Sequence, residues 1–159
     1  MLIVLIIVFI IFLFLKNNCK NTYITKSGKT YHASSLQNAE IIDVLRLISI
    51  DLSYEIDEEN GRELRGKLQN TSFLELIDKD DDILAWNYDK GREIGIKIYD
   101  DNGKYYSAEF LIDSLFHELA HSITGSFGHT QEWVENEKIL LKFKDKYVKI
   151  LLNKTVLVY

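Results

Sequence analysis

Residues 116–133 read FHELAHSITGSFGHTQEW and carry three of the chain's four histidines, with a glutamate beside the first. Local signals predict a helix running into this stretch. Ser107 is a good N-cap, Glu109 in the first turn complements the helix dipole, and Tyr106 and Leu111 stand at the positions of a hydrophobic staple. Gly125 is placed to follow the helix end as C′. At about 100° per residue, Ile112, Phe116, Leu119 and Ile123 share one stripe flanked by Leu111 and Leu115. His117 and His121 project from nearly the opposite side, one turn apart, where two imidazoles can share an ion. A histidine that merely filled the core would lie on the apolar stripe. Glu118 lies about 100° round the helix from His117, near enough to reach a water at the ion without joining the ligands. This is the H-E-x-x-H pattern, in which two histidines bind zinc and the glutamate is the general base.

With four histidines and twelve glutamates in 159 positions, the number of H-E-x-x-H matches expected by chance is about 0.007. Chance is therefore a poor account of the motif. His129 is the candidate third ligand: Gly125 and Gly128 let the intervening loop fold back, and Thr130 can cap a following helix with Glu132 in its first turn. Glu132 and Glu135 are rival third ligands, on the pattern of zinc sites that take a carboxylate from a following helix. Asp113, one turn before His117, could orient its imidazole. Tyr105, Tyr106 and Tyr147 are candidate donors to an oxyanion. His32 has no assigned role.

HELAHSITG followed by the glycine-flanked histidine of GHTQEW resembles the Wss1p-like (WLM) zinc metallopeptidases. More loosely it resembles the SprT-like and minimal zincin peptidases, including those encoded by large DNA viruses. The preceding GREIGIKIYDDNGKYYSAEFLIDSLF looks like their strand, turn and helix lead-in, so the similarity covers about residues 91–134. The resemblance implies a zincin-like α+β fold, with His117, His121 and His129 as zinc ligands and Glu118 as the catalytic base. One departure is visible. The family usually places its third histidine directly after a Gly-Pro pair, whereas Gly125 is followed here by Ser-Phe-Gly before His129.

Outward from the motif, ILAWNY (83–88) and EIGIKIY (93–99), joined by DKGR, predict an antiparallel meander, with a second tight turn at Asp100-Asp101-Asn102-Gly103. The zincin resemblance implies that substrate pairs with 93–99 as an edge strand. Apolar residues from Leu36 to Leu52 recur at helical spacing and predict an amphipathic helix over 36–53. Between 54 and 82 the reading is open: LRGKL suits a short strand or a helix, and Asp78 to Asp82 make a solvated acidic loop without the ligand spacing of a calcium loop. Residues 131–152 predict one core helix, and TVLVY (155–159) a tail or edge strand. The expected fold class is α+β: a small antiparallel or mixed twisted sheet packed on helices, with an N-terminal transmembrane helix.

That last element is MLIVLIIVFIIFLFL, residues 1–15, which carry no charged or polar side chain. As a helix they span about 22 Å against a hydrocarbon core of roughly 30 Å, short but within reach of a thin bilayer. No positive charge precedes them and no small-x-small site follows, so an uncleaved membrane anchor is expected. Residues 16–34 are expected to be a polar tether, and 35–159 the folded domain. Lys16, Lys20, Lys26 and Lys29 follow the anchor before any acidic residue, which expects the domain on the cytoplasmic side of a virion or host membrane. A net charge of −5 without a basic cluster sets nucleic acid aside as a partner. A lone cysteine, Cys19, excludes an internal disulfide and a thiolate zinc site. The expected function is a membrane-anchored zinc endopeptidase acting on a protein substrate. The alternative is a non-catalytic membrane or envelope protein with a structural or vestigial zinc site.

Overall fold

Ile94, Ile96 and Ile98 are fully buried and alternate with Gly95 and Lys97, a period of two that turns one face of a strand into the core. The computed structural model describes residues 21–77 and 82–155. In chain order these form β1 (Asn21–Ile24), β2 (Thr30–Ala33), α1 (Leu36–Leu52), α2 (Glu58–Leu68), β3 (Ser72–Glu75), β4 (Ala85–Tyr88), β5 (Glu93–Ile96), α3 (Ala108–Ile123), α4 (Gln131–Leu141) and α5 (Lys144–Lys154). The class is α+β, as expected. β1 and β2 pair as an antiparallel hairpin, and a second, mixed sheet has the order β3-β5-β4.

That order corrects the expected edge strand. β5 lies parallel to β3 on one side and antiparallel to β4 on the other. Its backbone groups are already spent on two neighbours, so no substrate can add to it. β4 is the edge nearest the motif-bearing helix. The meander itself forms as expected: Asp89, Lys90 and Gly91 in the β4–β5 connection all take positive φ. In the second turn Asp100 Oδ1 accepts from the backbone N–H groups of Asn102 and Lys104, each at 2.9 Å.

The expected tether is partly folded structure. Residues 21–33 make the β1–β2 hairpin, turned at Gly28 with φ 81°. Tyr31 and Ala33 are buried against α1. Asp43 on α1 accepts from Tyr31 Oη at 2.8 Å, Thr25 Oγ1 at 3.0 Å and Arg46 Nη2 at 2.9 Å. Just beyond β2, the buried Glu75 carboxylate accepts from Ser34 N at 2.7 Å and Asn38 Nδ2 at 2.7 Å. These buried polar bonds explain why a segment with little apolar content folds: its hydroxyls and α1's charges satisfy one another.

α1 starts at the Ser35 cap, which accepts from Asn38 N. It buries Ile41, Ile42, Leu45, Ile48 and Leu52. LRGKL proves to be helical, inside α2. The single C-terminal helix expected over 131–152 is two helices. Phe143 N donates to Leu140 O at 3.0 Å, a three-residue turn that redirects the chain between α4 and α5. Neither Gly nor Pro marks that break, so it left no signal in the sequence. It lets α4 lie along the histidine end of α3 while α5 places the fully buried Tyr147 against Phe116 at 6.1 Å. The apolar segment 1–15 and the tail 156–159 lie outside the described residues. Among the described residues no helix is long and apolar enough to cross a membrane.

Candidate metal centre

α3 begins where Ser107 Oγ accepts from Phe110 N at 3.2 Å, and Tyr106 stacks on Phe110 at 4.2 Å. Its apolar stripe, Ile112, Phe116, Leu119 and Ile123, is buried together with Leu111 and Leu115. With that face locked into the core, His117 and His121 are held on the other side by the helix itself. The helix ends at Ile123, and Gly125 follows the Thr124 cap as C′. Gly128, with φ 78°, then takes the left-handed conformation that turns the chain back. Thr130 caps α4 by accepting from Trp133 N, which leaves His129 just before that helix.

The three histidines converge. One ligand atom from each of His117, His121 and His129 lies within 4.8 Å of the others. His117 Nε2 and His129 Nε2 are 3.2 Å apart. Two nitrogens on one tetrahedral zinc, with bonds near 2.05 Å, would be about 3.3 Å apart. The His117–His129 pair therefore fits a zinc ion, with His121 in the same cluster. Burial, then the neighbouring His117, His129 and Lys90 charges, push the His121 imidazole down to about 4. It is neutral at pH 7, the form that ligates. Among the described residues no fourth His, Cys, Asp or Glu joins the cluster, so an ion there keeps an open position.

Glu118 is 5% exposed, and burial pushes its carboxyl up to about 7. The turn that carries it is tied to the edge strand: Asn87 Nδ2 on β4 donates to Glu118 O at 2.6 Å and to Ser122 Oγ at 2.7 Å.

The rival ligands are occupied elsewhere. Glu132 accepts from Gly125 N at 2.8 Å and Ser126 Oγ at 2.9 Å, and Glu135 accepts from Gln131 Nε2 at 2.9 Å. Asp113 does not orient His117; its Oδ2 pairs with Lys144 Nζ at 2.7 Å. Glu137 holds that place, with Oε1 3.2 Å from His117 Nδ1. The candidate oxyanion donors also lie elsewhere. Tyr147 Oη donates to Asp51 and Tyr105 Oη to Asn38, while the Tyr106 ring stacks on Phe110 at the start of α3.

Trp133 packs on all three imidazoles, with ring centroids 4.7, 5.3 and 4.4 Å from His117, His121 and His129. Its Nε1 is buried without a hydrogen-bond partner, so the ring is held by packing alone and shields one flank of the cluster. Sequence reasoning placed Trp133 in the core and missed Glu137. Their separation of four residues on one helix is the signal that could have put both on the face turned to α3.

No family model matches the chain, and no curated protein matches it. Two crystal structures of Wss1 from Saccharomyces cerevisiae are similar to it, each at 16% identity with a TM-score of 0.44. With the first, a mutant, the similarity covers 68% of this chain and 82% of that one; with the second it covers 58% and 76%.

Proposed function

We propose that the chain is a zinc metallopeptidase that hydrolyses peptide bonds of a protein substrate, with His117, His121 and His129 holding the metal and Glu118 as general base. The observation that carries this reading is the convergence of the three imidazoles, with a buried glutamate on the same helix. When bound, zinc would supply a Lewis acid that acidifies a water and polarises the scissile carbonyl. Glu118 takes the proton from the attacking water as the new C–O bond forms and returns it to the departing amine nitrogen as the C–N bond breaks. Its elevated proton affinity suits a group that must accept a proton and then release it near neutral pH. Glu137 fixes the His117 tautomer by accepting from Nδ1, leaving Nε2 free to ligate. Substrate backbone pairs with the free edge of β4 and so lies beside the Glu118 turn. Residues 1–15 anchor the enzyme, which confines it to protein substrates near that membrane.

Zinc content and cleavage of a quenched fluorescent peptide library, measured on the full chain in detergent, test this. One zinc per chain is expected in wild type and in Glu118→Gln, with hydrolysis about 10²- to 10⁴-fold slower in the variant. A folded chain without stoichiometric zinc would sink the peptidase reading. Zinc without hydrolysis of any peptide, and no change in Glu118→Gln, would leave a structural metal site.

A further inference from the structure

The loop between α3 and His129 is gripped from two sides by opposite charges. We infer that Lys90 and Glu132 are positioning residues that fix this loop and thereby set His129 as the third metal ligand, an inference that rests on the zinc reading above. Lys90 Nζ donates to Thr124 O at 2.7 Å, to Gly125 O at 2.9 Å and to Ser126 O. All three ammonium donors are thus spent on consecutive carbonyls of the Thr124 cap and the loop that follows α3. Glu132 takes the complementary groups. Its Oε1 accepts from Gly125 N at 2.8 Å, and its Oε2 from Ser126 N at 3.3 Å and Ser126 Oγ at 2.9 Å. At Gly125 and Ser126, then, a cation from the β4–β5 turn holds the carbonyl and an anion from α4 holds the amide.

Beyond Ser126 only Phe127 and Gly128 separate the clamp from His129, and Ser126 Oγ also meets the Thr130 Oγ1 of the α4 cap at 2.7 Å. The histidine therefore sits on a segment pinned at both ends. Lys90 makes its contacts from a backbone that lysine disfavours: φ is 49° at Asp89 and 56° at Lys90, in the left-handed region where local strain marks a constrained site. The turn is seated close against α3, since a Cβ added at Gly91 would lie 2.7 Å from Ser122 Oγ. Lys90 Nζ also lies 4.4 Å from the centroid of the Phe127 ring, which is otherwise 86% exposed.

A lysine that served only the left-handed turn would be replaceable by asparagine, which tolerates that φ. The test is zinc affinity of the full chain in detergent, by competition with a chromophoric chelator, for wild type, Lys90→Asn, Glu132→Ala and His129→Ala. Lys90→Asn and Glu132→Ala are also measured in the His129→Ala background. The intensity of the visible Co²⁺ bands, which reports four-coordination, is recorded alongside, and thermal midpoints without metal check folding. The expected result is an affinity about 10-fold lower in Lys90→Asn and in Glu132→Ala, weaker Co²⁺ bands, an unchanged metal-free midpoint in Lys90→Asn, and no further loss when either is combined with His129→Ala. If wild type binds zinc and His129→Ala weakens it while Lys90→Asn does not, the inference is overturned and the zinc reading stands. A loss of equal size in the His129→Ala background overturns it as well, because the lysine would then act on the fold at large. A wild-type chain without stoichiometric zinc overturns both.

Discussion

At the scale of the residue, the candidate centre depends on who faces whom across two helices. Glu137 Oε1 is 3.2 Å from His117 Nδ1, a contact that acts through the tautomer and basicity of that imidazole. Glu137→Ala is expected to weaken zinc about 10- to 100-fold while the metal-free chain keeps its thermal midpoint; chelator competition and a melting curve check this together. Trp133 supplies an optical readout. Its ring centroid lies within 5.3 Å of those of His117, His121 and His129, so Co²⁺ bound by them should quench its fluorescence in wild type and leave only the Trp86 emission unaltered. Unchanged total emission on stoichiometric Co²⁺ addition would mean that the ion binds elsewhere.

At the scale of the element, β5 and α3 show how close packing builds the platform. Gly95 sits where Trp86 on β4 lies across β5: an added Cβ would overlap the indole and come within 2.6 Å of Leu76 Cδ2. Trp86 lies on β4 and Leu76 directly follows β3, so both are carried by the sheet that Gly95 itself belongs to. Gly95→Ala is therefore expected to destabilise by roughly 1–3 kcal/mol, the usual cost of overpacking, read as a lower denaturation midpoint at unchanged slope. Much of α3 was legible in advance. Its N-cap and its apolar stripe follow from local signals that act within one or two turns. The split between α4 and α5 was not legible, because a three-residue turn at Leu140–Phe143 needs no special residue. What selects it is the separate packing that each half finds on α3.

For the whole molecule, the β1–β2 hairpin makes residues 21–34 part of the folded unit. Deleting residues 1–20 keeps every described contact. Deleting residues 1–34 strips Tyr31 and Thr25 from Asp43 and Ser34 from Glu75. The longer deletion is expected to lower the unfolding midpoint sharply or abolish cooperative unfolding, and a melt of the two truncations side by side decides it. The same network sets a pH dependence. Burial alone would raise the Asp43 carboxyl, but hydrogen bonds from Ser27, Tyr31, Arg46 and Thr25 outweigh it and hold the group below the usual carboxylate range. A depressed folded-state value stabilises above the unfolded pKa, near 3.9, and that stability is lost as pH falls through the folded value. Wild type should therefore lose stability below about pH 4 more steeply than Asp43→Asn. The variant should be weaker at pH 7 by roughly 1–3 kcal/mol, since buried partners lose their acceptor. Parallel acid titrations by circular dichroism would refute this if both curves had the same slope.

By itself the sequence determined the α+β class, the helix that carries H-E-x-x-H, the opposite faces of its histidines and its apolar stripe, and the turns of the meander. These follow from periodicity and from turn and cap residues that act over a few positions. Only the tertiary structure decided that β5 is central and β4 the edge, that residues 21–33 belong to the domain, and that Glu137 and not Asp113 meets His117. It also decided that Glu132 grips a loop and does not stand among the histidines. Each of these is a choice among partners distant in the chain. Such choices are settled by which buried polar groups can be satisfied together and by which apolar faces pack, and local pattern does not encode that competition.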